Sequence, residues 1–356
     1  MTNIDAKAPV CVTGASGYIA GWIVRYLLEE GYTVHATVRD PSKQSSVGHL
    51  QAIAEAQPGT LKLFASDLNQ PGSFDEAVQG CQVVMHTASP FVLSGYDDAE
   101  AALVRPAVDG TRNVLEAVNR CADVQRVVLT SSVAGIYGDS ADIRNTENGV
   151  FTEADWNTTS SVDHNPYQYS KVAAERVAWE ICKAQSRWDM VTINPAMVLG
   201  PSLTNASQSA SIDLLRQLAD GRLRDGVPRL SMGIVDVREV ARAHLLAAFT
   251  PDAEGRYILC SASRTMLRMA TTLKSRFRDG YRFPKRELPK PLVWLFGPMK
   301  GPVTRRFISR NAGYDVRFDN SRSRALGVEY RTPEDTLVEH FQQIVDDGQI
   351  RSRKAA

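Results

Sequence analysis

The sequence lacks long hydrophobic runs and contains few cysteines. No apolar stretch approaches the roughly 18 residues of a membrane span, and the best candidate, residues 291–299, is far too short. Residues 1–9 have no apolar segment of the kind a signal peptide needs. The five cysteines are an odd number without a C-x-x-C pair, which predicts neither a disulfide framework nor a zinc site. We therefore expect a cytoplasmic protein without a membrane span.

The sequence also has almost no net charge. The formal value of +1 argues against a nucleic-acid partner. The charge is unevenly placed, because residues 264–310 contain 13 Lys or Arg and only two acids. Two interpretations stay open for this stretch: a solvated basic face, or a contact with an anionic substrate, a partner or a membrane surface. The six histidines are scattered, so no metal site is expected.

Short apolar runs alternate with longer helical patterns through most of the chain. This order predicts an α/β protein with a Rossmann-type, doubly wound parallel sheet covered by helices on both faces. The predicted strands are residues 10–12, 33–38, 61–64, 83–86, 126–130, 190–193 and 256–259. The predicted helices include residues 17–30, 99–120, 166–184 and 236–249.

The alternation weakens after about residue 196, which predicts a second, smaller lobe. We assign residues 1–195 plus 235–262 to a dinucleotide-binding Rossmann domain. Residues 196–234 plus 263–356 form the predicted C-terminal substrate lobe. A last helix is expected over 333–347, with Thr332 as its cap and proline in the first helical position.

A glycine-rich turn, V-T-G-A-S-G-Y-I-A-G, joins the first predicted strand to the first helix. Gly14 permits a tight turn and Gly17 lets the backbone approach a pyrophosphate, which the helix N-terminus attracts. The residues expected to bind the cofactor here are Gly14, Ser16, Gly17, Tyr18 and Ile19. The alternative is a tight turn without a ligand.

The end of the second strand indicates which dinucleotide binds. An NAD site has an acidic residue here for the ribose hydroxyls, whereas this chain has Arg39, then Asp40, then Lys43. A guanidinium suits a 2′-phosphate through charge-assisted bonds. We therefore predict NADPH over NADH, with Arg39 and Lys43 as contacts. The alternative is that Arg39 is a surface residue and Asp40 binds the ribose.

Small and polar residues follow the next two strands. Asp67 and Leu68 are expected beside the adenine. Thr87, Ala88 and Ser89 are expected to let the backbone border the dinucleotide. Both segments are also compatible with ordinary loops.

Two further segments carry groups suited to proton transfer. Ser131 and Ser132 close the fifth strand, and ligands bind at the carboxyl ends of strands in such sheets. Tyr167 and Lys171 are four residues apart, so they share a helix face. An adjacent ammonium is expected to lower the phenol pKa from ~10 toward neutrality, where general acid–base catalysis is effective. Alone, this spacing occurs by chance in many helices; Tyr169, the rival phenol, faces elsewhere.

Together these motifs resemble the extended short-chain dehydrogenases/reductases. The segments V-T-G-A-S-G-Y-I-A-G, T-S-S-V-A-G, Y-Q-Y-S-K and N-P-A-M-V-L-G-P carry the resemblance. V-R-D-P after the second strand and the helix containing Arg238 and His244 are similar to the dihydroflavonol-reductase-like ketone and aldehyde reductases.

The resemblance implies Ser132, Tyr167 and Lys171 as a catalytic triad, with Tyr167 and Lys171 also contacting the cofactor. Ser131 competes with Ser132, which we prefer because the family's functional hydroxyl is usually the second of the pair. Pro195 and Val198 are implied near the nicotinamide and Ser207 near the pyrophosphate. Asn113 looks like the family's helix asparagine and is assigned a structural role.

We therefore expect reversible NADPH-dependent reduction of a ketone or aldehyde to an alcohol. The expected substrate is a small hydrophobic or aromatic carbonyl compound, and the expected state is a monomer or homodimer. Alternatives are a sugar-nucleotide epimerase or steroid dehydrogenase on the same fold, and a non-enzymatic NADP(H)-sensing protein.

Overall fold

The computed structural model describes residues 4–5, 7–90, 97–204, 210–278, 280–299 and 303–350. Its strands are β1 (Val10–Thr13), β2 (Thr33–Val38), β3 (Thr60–Ala65), β4 (Val83–His86), β5 (Arg126–Thr130), β6 (Asp189–Pro195), β7 (Met197–Leu199), β8 (Val227–Pro228), β9 (Ser231–Asp236), β10 (Gly255–Leu259), β11 (Ala262–Thr265) and β12 (Glu287–Leu288). Its α-helices are α1 (Tyr18–Glu29), α2 (Gln44–Glu55), α3 (Asp75–Val78), α4 (Arg105–Arg120), α5 (Pro166–Lys183), α6 (Ala210–Ala219), α7 (Val237–Phe249), α8 (Met266–Arg276), α9 (Lys290–Phe296), α10 (Arg305–Asn311), α11 (Ser321–Ala325) and α12 (Pro333–Asp346).

The main sheet is parallel and has the strand order β10-β6-β5-β4-β1-β2-β3. The order reverses between β1 and β4, where a crevice opens at the carboxyl ends of the strands. All seven predicted strands lie in this sheet, so the predicted Rossmann-type fold is confirmed. The strands at the centre of the sheet are buried on both faces, which explains their continuous apolar sequences.

The predicted helix over 99–120 is interrupted. A π-helical turn, Glu100–Val104, precedes α4, and Pro106 follows at the beginning of the regular helix. Proline has no N–H to donate, so the regular pattern of hydrogen bonds cannot run through this point. The predicted cap Thr332 is confirmed, since its hydroxyl accepts from the Asp335 N–H at the start of α12.

A second sheet, β11-β9-β7, was missed by the sequence reading. One reason is that β7 has only three residues and follows β6 after a single residue, Ala196. With so short an interval, the sequence carries no turn signal that would mark the change of sheet. The Asp236 carboxylate at the end of β9 pairs with Arg238 at 2.7 Å and caps α7.

The buried apolar residues form three clusters, and the division into two lobes stays a prediction. Two buried clusters pack on the two faces of the main sheet, and one of them includes the returning helix α7. A third cluster joins α6, α8 and α12 with β9. In the described part of the chain, no helix is long and apolar enough to cross a bilayer.

Candidate active site

The glycine-rich turn is held against the end of β4 by one threonine. The Thr13 hydroxyl oxygen accepts from the N–H groups of Thr87 and Ala88, both at 3.1 Å. It also contacts the buried imidazole of His86 at 2.8 Å. Burial lowers the His86 pKa to about 3, so this ring is neutral. The glycine-rich turn and the loop after β4 therefore lie side by side between β1 and β4, where the strand order of the main sheet reverses.

Two glycines let this turn pack closely against its neighbours. Gly14 has a φ of +67°, and an added Cβ would lie 3.0 Å from the Ala88 Cα. A Cβ on Gly17 would lie 3.0 Å from the Gly14 carbonyl oxygen. The turn leads directly into α1, whose first N–H groups lack helical partners. Ser16 lies in this turn and Ile19 in the first turn of α1. The glycine-rich turn and the beginning of α1 together form a phosphate cradle that fits a pyrophosphate.

The Tyr18 side chain has a structural contact that the sequence did not indicate. Its hydroxyl donates to the Gly200 carbonyl oxygen at 2.5 Å, and its ring stacks on His340 of α12. Burial raises the Tyr18 pKa well above its ordinary value. The side chain thus joins α1 to Gly200 and to α12, and only the backbone of Tyr18 belongs to the predicted phosphate cradle.

The residues after β2 fit a 2′-phosphate. Arg39 and Lys43 are exposed, and Lys43 immediately precedes α2. The Asp40 carboxylate instead accepts from the Ser42 hydroxyl at 2.6 Å and from the Ser42 N–H. These hydrogen bonds lower the Asp40 pKa. Asp40, the acid that could have bound a ribose hydroxyl, therefore forms hydrogen bonds within its own turn instead.

The segment after β3 is fixed by α4. Asn113 donates to the Leu68 carbonyl oxygen at 2.7 Å, and Gly110 leaves room for the Leu68 side chain, which would lie 3.0 Å from an added Cβ. Asp67 accepts from the N–H and amide of Asn69. Asn113 therefore fixes the backbone of the segment that is predicted to contact the adenine. This hydrogen bond supports the structural role predicted for Asn113.

The two serines after β5 have different surroundings. Ser131 is buried and donates to Glu175 at 2.5 Å. Ser132 is only half-buried, and its hydroxyl oxygen accepts from the Ala134 N–H at 3.1 Å. It begins the 3-10 turn Val133–Gly135, against which α5 packs. The geometry therefore favours Ser132 as the hydroxyl facing a ligand.

Tyr167 and Lys171 lie on the first turns of α5 and are both half-buried. The Lys171 ammonium donates to the Ser89 hydroxyl at 2.8 Å and lies 5.7 Å from the centre of the Tyr167 ring. Burial raises the Tyr167 pKa to about 12 and lowers the Lys171 pKa to about 8. The expected lowering of the phenol pKa is therefore not seen, because burial prevails and Lys171 is directed at Ser89.

A buried ion pair beneath these residues was missed by the sequence reading. Glu175, one turn beyond Lys171, pairs with Arg256 of β10 at 2.7 Å. It also accepts from Ser131 and from Asn194 of β6. The signal available in the sequence was the continued spacing of four along α5, which places Glu175 below Tyr167 and Lys171.

A second buried carboxylate holds the beginning of α5. Asp139 is fully buried and accepts from His164 at 2.9 Å and from Asn165 at 3.0 Å. From the smaller lobe, Arg310 and Asn311 also donate to it. Burial works to raise the Asp139 pKa, but the hydrogen bonds from Arg310, His164 and Asn311 outweigh it and hold the pKa below its usual value. Asn165, with φ +56°, is the cap of α5.

The remaining predicted residues border the same edge of the sheet or are not described. Pro195 ends β6 and is buried, and Val198 lies in β7 and is half-buried. Ser207 lies outside the described residues. Tyr137, which follows Ser132, stacks on Phe151 at 4.8 Å within the core.

The parallel sheet, its phosphate cradle and the hydroxyl, phenol and ammonium beside it define a dinucleotide-dependent oxidoreductase. The chain belongs to the NAD dependent epimerase/dehydratase family, whose model matches residues 10–260. The resemblance to extended short-chain dehydrogenases/reductases is thereby confirmed.

The relatives lie among the reductases of that family. The chain is 43% identical to cinnamoyl-CoA reductase CAD2 of Medicago truncatula over 73% of this chain and 78% of that protein. It is 32% identical to dihydroflavonol 4-reductase of Gerbera hybrida over 81% and 79% of the two chains. The solved structure of Gre2 from Candida albicans, in complex with NADPH, is similar with a TM-score of 0.75 and 30% identity, covering 96% of this chain and 99% of that one.

Replacement of the buried carboxylate at Asp139 is expected to reduce both stability and turnover. Asp139→Asn leaves the Arg310 guanidinium and His164 without their carboxylate partner, at a cost of about 3–5 kcal/mol. Because the cap Asn165 and the adjacent His164 are both held by this carboxylate, we expect Tyr167 to shift and kcat to fall more than the KM for NADPH changes. Thermal unfolding and steady-state kinetics measure the two effects.

Asp315→Asn is the matched control, since Asp315 forms an exposed ion pair with Arg229 and its loss costs about 1 kcal/mol or less. If Asp139→Asn does not fold, Arg310→Gln provides a milder change. An unaltered kcat in folded protein of either variant contradicts a role for this cluster in placing Tyr167.

Proposed function

We propose that the chain is an NADPH-dependent carbonyl reductase that converts a ketone or aldehyde to an alcohol, with Tyr167 as the proton donor. The observation that carries this proposal is the Lys171–Ser89 hydrogen bond of 2.8 Å. It fixes the face of α5 that carries Tyr167 to the loop after β4, and that loop also borders the glycine-rich turn. The proton donor and the phosphate cradle therefore lie at one edge of the sheet.

NADPH is the assigned cofactor. The exposed Arg39 and Lys43 supply charge for a 2′-phosphate, while Asp40 is engaged with Ser42. Gly14 and Gly17 allow the tight turn that leads into α1, whose first N–H groups can bind a pyrophosphate. When bound, this cofactor supplies the hydride that reduces the carbonyl carbon.

The protein's own residues supply and stabilise the proton. Since the Tyr167 pKa is about 12, the phenol is protonated at neutral pH and can donate to the oxygen of the reduced carbonyl. Ser132 donates a hydrogen bond to the same oxygen, which stabilises the negative charge that develops there. Lys171, with a pKa of about 8, is mainly charged at neutral pH and stabilises the phenolate that remains. In the reverse direction the phenolate accepts the alcohol proton, so oxidation is favoured at high pH.

The substrate we infer is a small hydrophobic or aromatic carbonyl compound. The proposal is supported by the relative named for reduction of a dihydroflavonol, which is an aromatic ketone. Cinnamoyl-CoA, named for another relative, is a thioester and supports only the aromatic group. Few polar groups fix orientation in sites of this kind, and the apolar lining provides most of the affinity. Assembly as a monomer or homodimer and a cytoplasmic location remain predictions.

Removal of the Tyr167 hydroxyl tests the chemical part of the proposal. Tyr167→Phe is expected to lower kcat by about 10²–10⁴-fold, because the general acid is lost. The affinity for NADPH, measured by fluorescence titration, should change little. Tyr169→Phe is the matched control, since Tyr169 lies on the same helix two residues further on and faces elsewhere. Full activity of Tyr167→Phe would overturn the mechanism.

Exchange of Arg39 tests the choice of cofactor. Arg39→Ala is expected to raise the KM for NADPH by about 10- to 100-fold, the value of charge-assisted bonds to a phosphate, and to leave the KM for NADH nearly unchanged. Asp40→Ala is the control and should preserve the preference for NADPH. Loss of NADH turnover in Asp40→Ala, with NADPH use by Arg39→Ala unaffected, would show that Asp40 binds the ribose instead.

A further inference from the structure

One short helix of the smaller lobe has an unusual surface. None of the residues of α9 is buried. In the described part of the chain, every large apolar side chain that is at least 40% exposed lies between Leu292 and Val303. The exposed apolar patch consists of Leu292, Trp294, Leu295, Phe296, Met299 and Val303. Leu292, Leu295 and Phe296 are three and four residues apart and so share one face of α9. A contiguous apolar surface of this kind marks an interaction site, whereas singly scattered apolar residues do not.

The patch is held in place by its neighbours. The Lys290 ammonium at the beginning of α9 donates to the carbonyl oxygens of Ser309 and Ala312, each at 2.8 Å. A Cβ on Gly297 would lie 2.9 Å from the side chain of Ile308, which is buried in α10. The apolar side chains are therefore presented from a fixed position.

The surroundings of the patch are basic. The Arg305 guanidinium lies 4.8 Å from the centre of the Trp294 ring, and the adjacent Arg306 is also exposed. Lys290 is bound to carbonyl oxygens, and Arg310 to the carboxylates of Asp139 and Asp142. The charge beside the patch therefore comes from Arg305 and Arg306. A partner for this surface must therefore accept apolar side chains and carry negative charge.

We propose that the exposed apolar patch docks the protein on an anionic membrane surface. Apolar and aromatic side chains flanked by Lys and Arg are the pattern of segments that lie in the bilayer interface. With seven residues, α9 is only about 10 Å long, so it rests in the interface. A second copy of this chain fits less well, because a twofold contact would set Arg305 and Arg306 against their own copies.

Vesicle co-sedimentation tests the proposal with the full chain. The protein is expected to pellet with vesicles of phosphatidylcholine and phosphatidylglycerol in equal parts, not with phosphatidylcholine alone, and less at high salt. Trp294 emission is expected to shift to shorter wavelength on binding. Trp294→Leu should remove that shift while the protein still pellets.

Two double variants separate the apolar and charged contributions. Leu295→Ser/Phe296→Ser is expected to weaken binding by about tenfold or more. Arg305→Gln/Arg306→Gln is expected to weaken it by about fivefold for each arginine removed. Arg112→Gln/Lys183→Gln, which removes the same charge from exposed positions of α4 and α5, should bind as the unaltered protein does. Carbonyl reduction without vesicles serves only to show that each variant is folded, and pelleting itself does not depend on turnover.

Absence of pelleting with anionic vesicles would overturn the proposal, and so would equal pelleting of all variants. A dimer that Leu295→Ser/Phe296→Ser dissociates, without vesicle binding, would assign the patch to a second copy. Sedimentation velocity detects that outcome.

Discussion

The buried carboxylate of Glu175 connects the elements on which the site depends. It is fully buried and binds Arg256 of β10, Ser131 at the end of β5 and Asn194 of β6. Three neighbouring strands are thus fixed to the helix that carries Tyr167. A buried charge of this kind is costly unless every partner is in place, so the arrangement specifies one geometry. Because Ser131 is held inward, the next residue, Ser132, is the one left at the crevice.

The loop after β4 connects the glycine-rich turn to α5 at the same edge of the sheet. The Thr13 hydroxyl oxygen accepts hydrogen bonds from two backbone N–H groups of the loop after β4. In the same loop, the Ser89 hydroxyl accepts from Lys171. The glycine-rich turn and α5 are therefore joined through one short segment. Burial leaves Tyr167 protonated and Lys171 with a pKa of about 8. Before ligand binding the phenol is thus protonated, as a proton donor must be, and it is a weaker acid than the sequence predicted.

Local patterns predicted much of this arrangement from the sequence. The seven strands of the main sheet and the turn containing Gly14 and Gly17 were predicted because period and glycine position are local signals. The second sheet was missed in part because β7 and β11 are short and closely follow β6 and β10. The cluster at Asp139 was missed as well, since its donors come from residues 164–165 and 310–311, far apart in the chain. Contacts between residues so far apart in the chain produce no regular spacing in the sequence from which they could be predicted.

The central claim, reduction of a carbonyl with NADPH, is tested most directly by absorbance at 340 nm. NADPH and NADH are compared against aromatic ketones, aldehydes and β-ketoesters, with the alcohol product quantified in parallel. The account predicts consumption of NADPH matched by equal amounts of alcohol, and much slower turnover with NADH. Binding of NADPH without turnover of any carbonyl compound would contradict it.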